Sequence, residues 1–86
     1  MPTICQFYGI KIYIFFDDHN EPHFHAYYAE YEVEISIKIG RVIGGKLPPS
    51  AKRLVNQWMK EHTEELLENW NLAKEHKKLK STKPLE

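Results

Sequence analysis

Alternation of hydrophobic and polar residues predicts strands through the first half of the chain. Residues 3–8 are rich in side chains that favour strands, and Gly9 interrupts them. Residues 10–16 place isoleucine or phenylalanine at every second position, and residues 23–29 alternate again. Residues 31–39 alternate most regularly, with apolar side chains at odd positions and polar ones at even positions. This period of two is typical of half-buried antiparallel strands.

The third and fourth predicted strands form a hairpin if the chain turns tightly at residues 29–30. The numbers of paired residues then sum to 59. This register sets Phe24 opposite Ile35 on the apolar face and His25 opposite Glu34 on the polar face. A shift by one residue would set apolar against polar side chains, so the pattern favours this register.

Helical spacing replaces alternation in the second half of the chain. Residues 41–47 lie among glycines and before two prolines, which predicts a weak fifth strand or a loop. Ser50 is a suitable N-cap for a helix, and Thr63 can cap a second one. Between and after them, apolar residues recur every three or four positions: Ala51, Leu54, Val55, Trp58, Met59, Leu66, Trp70 and Ala73. The pattern therefore predicts one helix or two.

These elements predict an α+β fold. A small, mainly antiparallel sheet of three to five strands packs its isoleucine-rich face on a C-terminal helical segment. Residues 1–73 form the single domain, and Trp58 and Trp70 are the large anchors of the interface. Residues 74–86 lose the apolar pattern, which predicts a lysine-rich frayed helix end and a flexible tail.

Composition narrows the classes of protein. A chain of 86 residues holds one small core. Its formal net charge is zero, which disfavours a nucleic-acid binder that relies on bulk positive charge. A single cysteine, Cys5, excludes an internal disulfide and favours a buried, unreactive thiol. With no membrane-spanning or signal-like stretch in the sequence, we expect a cytoplasmic protein.

Candidate chemistry concentrates in residues 17–25, which hold three of the five histidines and three carboxylates. In a strand, His23 and His25 point to the same side, so both imidazoles can reach one metal ion. Side chains of the preceding loop or of the paired strand can complete the site: Asp17, His19 or Glu34. Imidazole with carboxylate suits zinc, nickel, copper or iron, so a divalent transition metal is the candidate cofactor.

Two other interpretations of the same stretch stay open. One is a solvated sheet face with a His25–Glu34 pair and turn-forming residues. The other is catalysis without metal, with His19, His23 and His25 as general acid and base, for example in a ribonuclease. Such a reaction needs a cation, and the candidates are Lys11, Lys38 and Arg41. The acidity of the segment opposes this second interpretation, because it repels phosphate.

Aromatic side chains share the predicted polar face with the histidines. Tyr13, Phe15 and Tyr27, together with Asn20 of the loop, make a candidate recognition surface. Part of the helical region or a second copy in a homodimer can cover these rings instead. Protein contact is favoured over base stacking, because exposed apolar patches usually mark protein interfaces.

Several motifs resemble the domain-of-unknown-function 4160 family. They are the opening Met1-Pro2-Thr3-Ile4, the Gly9-Ile10 step, residues 18–25 with their His-Asn-x-Pro-His-x-His core, and residues 64–70. The resemblance covers about residues 1–72, and its core motif falls on His19, Asn20, Pro22, His23 and His25. It implies a small prokaryotic protein that is often encoded beside another small protein, as in toxin–antitoxin pairs.

Three hypotheses follow for the function. The resemblance implies a toxin-side component that acts through its histidine motif and forms a complex with a small protein partner encoded nearby. A non-catalytic module for metal binding or protein interaction is the second hypothesis. A small histidine-dependent ribonuclease is the third, and the residues alone do not decide among them.

Overall fold

A five-stranded sheet precedes a single helix in the chain. The computed structural model describes residues 3–15 and 21–85. Its elements are β1 (Thr3–Phe7), β2 (Ile10–Tyr13), β3 (His23–Tyr28), β4 (Tyr31–Ser36), β5 (Val42–Lys46) and α1 (Pro49–Lys74). All neighbouring strands pair antiparallel, in the order of the chain. The predicted α+β fold is confirmed.

The β3–β4 hairpin has the predicted register. Phe24 lies opposite Ile35, and His25 lies opposite Glu34. The first hairpin turns at Tyr8 and Gly9, whose φ angles of 48° and 80° are both positive. Two such residues suit a tight turn whose twist matches the strands, and glycine adopts this conformation without strain.

The strand β4 ends earlier than its alternation predicts. After Ser36 the chain turns, because the Ser36 amide donates to the Arg41 carbonyl at 2.8 Å and the Gly40 amide donates to the Ser36 carbonyl at 2.8 Å. Ile37 still reaches the core, but Ile39 is 64% exposed. The prediction that Ile39 faces the core is therefore wrong.

The glycine-rich residues 41–47 contain a strand, which resolves the choice between strand and loop. β5 pairs with β4, and the register of this pair shifts between Glu34 and Ile35. Gly45 has a φ of 72°, and a Cβ atom there would lie 2.2 Å from the Glu32 carbonyl oxygen. Glycine at this position lets the two backbones approach closely enough to pair.

The helix α1 covers the apolar face of the sheet. It is one helix with a kink, because His62 has the non-helical angles φ −129° and ψ 20°. Within the described residues, no helix combines the length and the apolar character that crossing a membrane requires. The buried residues of α1 are Ala51, Val55, Trp58, Met59, Leu66, Asn69 and Trp70.

Neither predicted helix cap forms. Pro48 occupies the N-cap position without a side-chain hydrogen bond, and Ser50 lies inside the helix. Thr63 donates its hydroxyl to the Met59 carbonyl at 2.9 Å, so it bonds back into the preceding turn and caps nothing. Proline suits the first helical turn because it lacks an amide hydrogen, and Pro49 begins α1 in this way.

The chain after α1 returns along the core, where the sequence predicts a flexible tail. Trp58 Nε1 donates to the Lys83 carbonyl at 2.9 Å, and the Thr82 amide donates to the Ile4 carbonyl of β1 at 2.9 Å. Asn69 is 1% exposed and exchanges two hydrogen bonds with the Lys80 backbone. The segment has no regular apolar pattern that would predict this course, because backbone hydrogen bonds hold it together with two isolated side chains, Leu79 and Leu85, that pack on the core. That residues 74–86 form a flexible tail outside the domain stays a prediction.

Candidate metal centre

Two histidines of β3 lie side by side at the edge of the core. Their ring centroids are 5.1 Å apart, as the alternation of a strand requires for positions 23 and 25. His23 is only 2% exposed, and its other neighbour is the ring of Trp70 at 5.1 Å. The side chain of His25 is 12% exposed. The imidazole of His23 is therefore buried between β3 and α1, whereas that of His25 is partly open to solvent.

The same nitrogen of each imidazole bonds to an oxygen of the protein. His23 Nδ1 lies 2.8 Å from the Glu21 carbonyl oxygen. His25 Nδ1 lies 3.1 Å from Glu32 Oε2. A carbonyl or ionised carboxylate oxygen only accepts, so Nδ1 donates in both rings. The neutral rings therefore carry their lone pairs on Nε2, which is the tautomer that histidine ligands of metals usually adopt.

Glu34 of β4 brings a carboxylate to these imidazoles. It lies directly across the hairpin from His25. One ligand atom from each of His23, His25 and Glu34 lies within 4.8 Å of the other two. Ligand atoms of one zinc ion lie roughly 3.3 Å apart, so the side chains would move by at most roughly 1.5 Å to bind an ion. The donor set of two imidazoles and one carboxylate fits a divalent transition metal.

The hydrogen-bond partner of His25 differs from the one that the hairpin register suggests. Glu34 is the directly opposed residue, but His25 bonds to Glu32. The solvated-face interpretation had proposed a cross-strand His25–Glu34 pair; the two residues do lie opposite each other, but the hydrogen bond of His25 goes to Glu32. Burial, together with a hydrogen bond to Glu32, raises the pKa of Tyr27 to about 12, so this phenol stays neutral at ordinary pH. Glu32 thus orients His25, while the Glu34 carboxylate lies within reach of both imidazoles.

A row of aromatic rings borders the histidines. Phe15 contacts the His25 ring edge-on at 4.7 Å, and it lies parallel to Tyr13 at 6.1 Å. Tyr13 also meets Tyr27 edge-on at 5.0 Å. The structure therefore brings together three members of the predicted recognition surface, and all three are half-buried. That this row contacts a partner stays a prediction.

Of the other predicted residues, Lys11 lies opposite Tyr27, whereas the rest lie elsewhere or outside the described part of the chain. Asp17, His19 and Asn20 belong to residues 16–20, which the structure does not describe. Lys38 lines a groove beside α1 together with Asn56 and Met59. Cys5 is buried as predicted, burial raises its thiol pKa, and its Sγ bonds to the Lys83 carbonyl at 3.5 Å.

Sequence reasoning missed two residues of this site. Glu32 lies two positions before Glu34 and therefore on the same face of β4, which was the available signal. Trp70 was predicted only as a core anchor, and its contact with His23 depends on how α1 continues beyond its kink.

Comparison with known protein families identifies a match. A family model described as "Domain of unknown function (DUF4160)" matches residues 9–71. This span contains His23, His25 and Glu34 and most of α1. No curated protein and no solved structure matches the chain significantly.

Proposed function

The chain belongs to this family, and from its structure we propose that the protein binds a divalent transition metal ion through His23, His25 and Glu34. The observation that carries the proposal is the orientation of the two imidazoles. Each donates its Nδ1 hydrogen to an oxygen of the protein, so each can offer Nε2 to the same ion. A solvated sheet face does not require both rings to be held this way.

The surroundings of the histidines favour metal binding over cleavage of RNA. His23 is 2% exposed, which hinders proton transfer to a large substrate. Glu32 and Glu34 lie beside the imidazoles and repel a phosphate group, whereas they attract a cation. Metal-independent ribonuclease activity therefore ranks behind metal binding.

Three protein ligands leave coordination positions for water or for a small ligand with an oxygen donor. Such an open site occurs in catalytic as well as regulatory metal proteins, so the proposal names a binding activity and no reaction. Asp17 or His19 as a further ligand stays a prediction.

Calorimetric titration of the full chain with Zn²⁺, and absorption spectra with Co²⁺, test this proposal. We expect saturable binding of one ion per chain. His25→Ala should abolish that binding, because half of the imidazole donor set is lost. Glu34→Gln should weaken it by about tenfold or more, since the amide lacks the negative charge.

The matched control is His76→Asn. His76 is exposed in the turn after α1 with a φ of 59°, a conformation that asparagine tolerates. This variant should bind the ion as the wild type does. Absence of saturable binding by the wild type, or equal losses in His76→Asn and His25→Ala, would contradict the proposal.

The toxin-side role in a toxin–antitoxin-like pair is a separate proposal that rests on family resemblance. Induced expression of the wild type should slow growth, whereas His19/His23/His25→Ala at the same level of folded protein should not. Unimpaired growth with wild-type protein would remove this role and leave the metal site to be judged by titration.

A further inference from the structure

One continuous stretch of this neutral chain is strongly basic. Residues 35–60 contain six lysines and arginines and no aspartate or glutamate: Lys38, Arg41, Lys46, Lys52, Arg53 and Lys60. The stretch runs from the end of β4 through β5 into the first half of α1. Within the described residues, none of the six forms an ion pair. Their charges are therefore available to attract an acidic partner.

Exposed apolar side chains lie in the same stretch. Of the four large hydrophobic residues that are exposed in the described parts of the chain, three are Ile39, Val42 and Ile43. Ile39 follows the early end of β4, which turns it away from the core, whereas Val42 and Ile43 belong to β5, an edge strand of the sheet. Apolar surface surrounded by charge is typical of a protein interface.

A groove of about 380 Å³ lies between this turn and α1. Ile37, Ile39 and Met59 contribute its apolar wall, while Lys38 and Lys60 lie at its rim. Lys52 donates to the Asn56 side chain at 2.8 Å, and Asn56 also lines the groove, so a third ammonium group lies close by. Among the residues that the structure describes, no carboxylate lines the groove. Its dimensions and charge suit an aliphatic side chain that is flanked by acidic residues.

We propose that this basic groove binds an acidic amphipathic segment of a partner protein. The aliphatic wall favours a protein over a nucleic acid, because it offers no aromatic ring on which a base could stack. A symmetric dimer through this groove is disfavoured, since two surfaces with the same positive charge repel. The site lies apart from the metal centre, so the proposal does not depend on metal binding.

Fluorescence anisotropy with a labelled peptide of leucines flanked by glutamates tests the proposal on the full chain. We expect saturable binding that weakens as salt increases. Lys38→Glu/Lys60→Glu should weaken binding by about tenfold or more, because it reverses both charges at the rim. Ile39→Ser should weaken binding with no change of charge. Circular dichroism checks that each variant is folded.

The matched control is Lys77→Glu/Lys78→Glu, which makes the same charge change in the other lysine-rich segment, and it should bind as the wild type does. Equal loss in both double variants, or no saturable binding of the peptide by wild type, overturns the proposal. Tighter binding of single-stranded DNA that is lost in Lys38→Glu/Lys60→Glu overturns it in favour of a nucleic-acid surface. A dimer in sedimentation that Ile39→Ser dissociates overturns it in favour of a second copy.

Discussion

Different interactions hold the side chains on the two faces of the sheet. On the face that α1 covers, apolar side chains such as Ile12, Phe24 and Val33 are fully buried, and burial alone holds them. On the other face, His25 and Tyr27 keep their orientation through hydrogen bonds with Glu32. A change on the covered face should therefore cost stability, whereas a change on the histidine face should cost binding.

Replacement of Trp58 tests this contrast with the largest expected effect. Trp58 is fully buried, packs on Phe7 and Phe24, and donates to the Lys83 carbonyl. Trp58→Ala should lower the free energy of unfolding by about 3–5 kcal/mol, as large-to-small substitutions in cores do. Urea denaturation measures the loss. His25→Ala should cost less than about 1 kcal/mol in the same experiment. Similar losses in the two variants would break the contrast.

Replacement of Gly45 tests how much the pairing of the edge strand β5 contributes to the stability of the sheet. Gly45→Ala should destabilise the protein by about 2 kcal/mol or more, because it combines a positive φ with a contact to the Glu32 carbonyl. Gly44→Ala is the control, since its Cβ would meet the Glu34 side chain at an ordinary 3.7 Å. Thermal unfolding should separate the two variants, and equal melting temperatures would refute the argument.

Glu32 should affect binding more than folding. Without the acceptor for His25 Nδ1, Glu32→Ala should weaken Zn²⁺ binding by about 10- to 100-fold in calorimetry. Glu32→Gln should restore part of the affinity, because its amide oxygen still accepts the hydrogen bond. Glu30→Ala, in the exposed β3–β4 turn, should have no effect. If Glu32→Ala binds as tightly as the wild type, Glu32 does not position His25.

The smallest expected effect is a pH dependence from Tyr27. Its pKa of about 12 in the folded protein exceeds the ordinary value of 10, so the folded state holds the phenol proton more tightly. The resulting stability is fully present below about pH 10 and is lost as the pH rises towards about 12. Relative to Tyr27→Phe, the wild type should lose about 1 kcal/mol over that range, a figure reduced for the partial exposure of this side chain. Urea denaturation at several pH values checks the difference, and parallel pH profiles would contradict it.

The hairpin and the helix show which structural features the hydrophobic pattern of the chain predicts and which it does not. The register of β3 and β4 was predictable, because one face is buried and a shift by one residue would bury the wrong side chains. The end of β4 was not, since the alternation continues to Ile39 while backbone hydrogen bonds at Ser36 turn the chain. The same holds after α1, where the buried amide of Asn69 binds the backbone of Lys80.

The sequence by itself determined the α+β architecture, the hairpin register and the placement of His23 and His25 on one side of a strand. These features follow from periodicity, which is local and repeats along the chain. Only the tertiary structure decided that Glu32 orients His25, that the Glu34 carboxylate lies within reach of both imidazoles and that Ile39 lines a basic groove. Each of these depends on which atoms of different elements meet, whereas alternation along a strand tells only on which face a side chain lies.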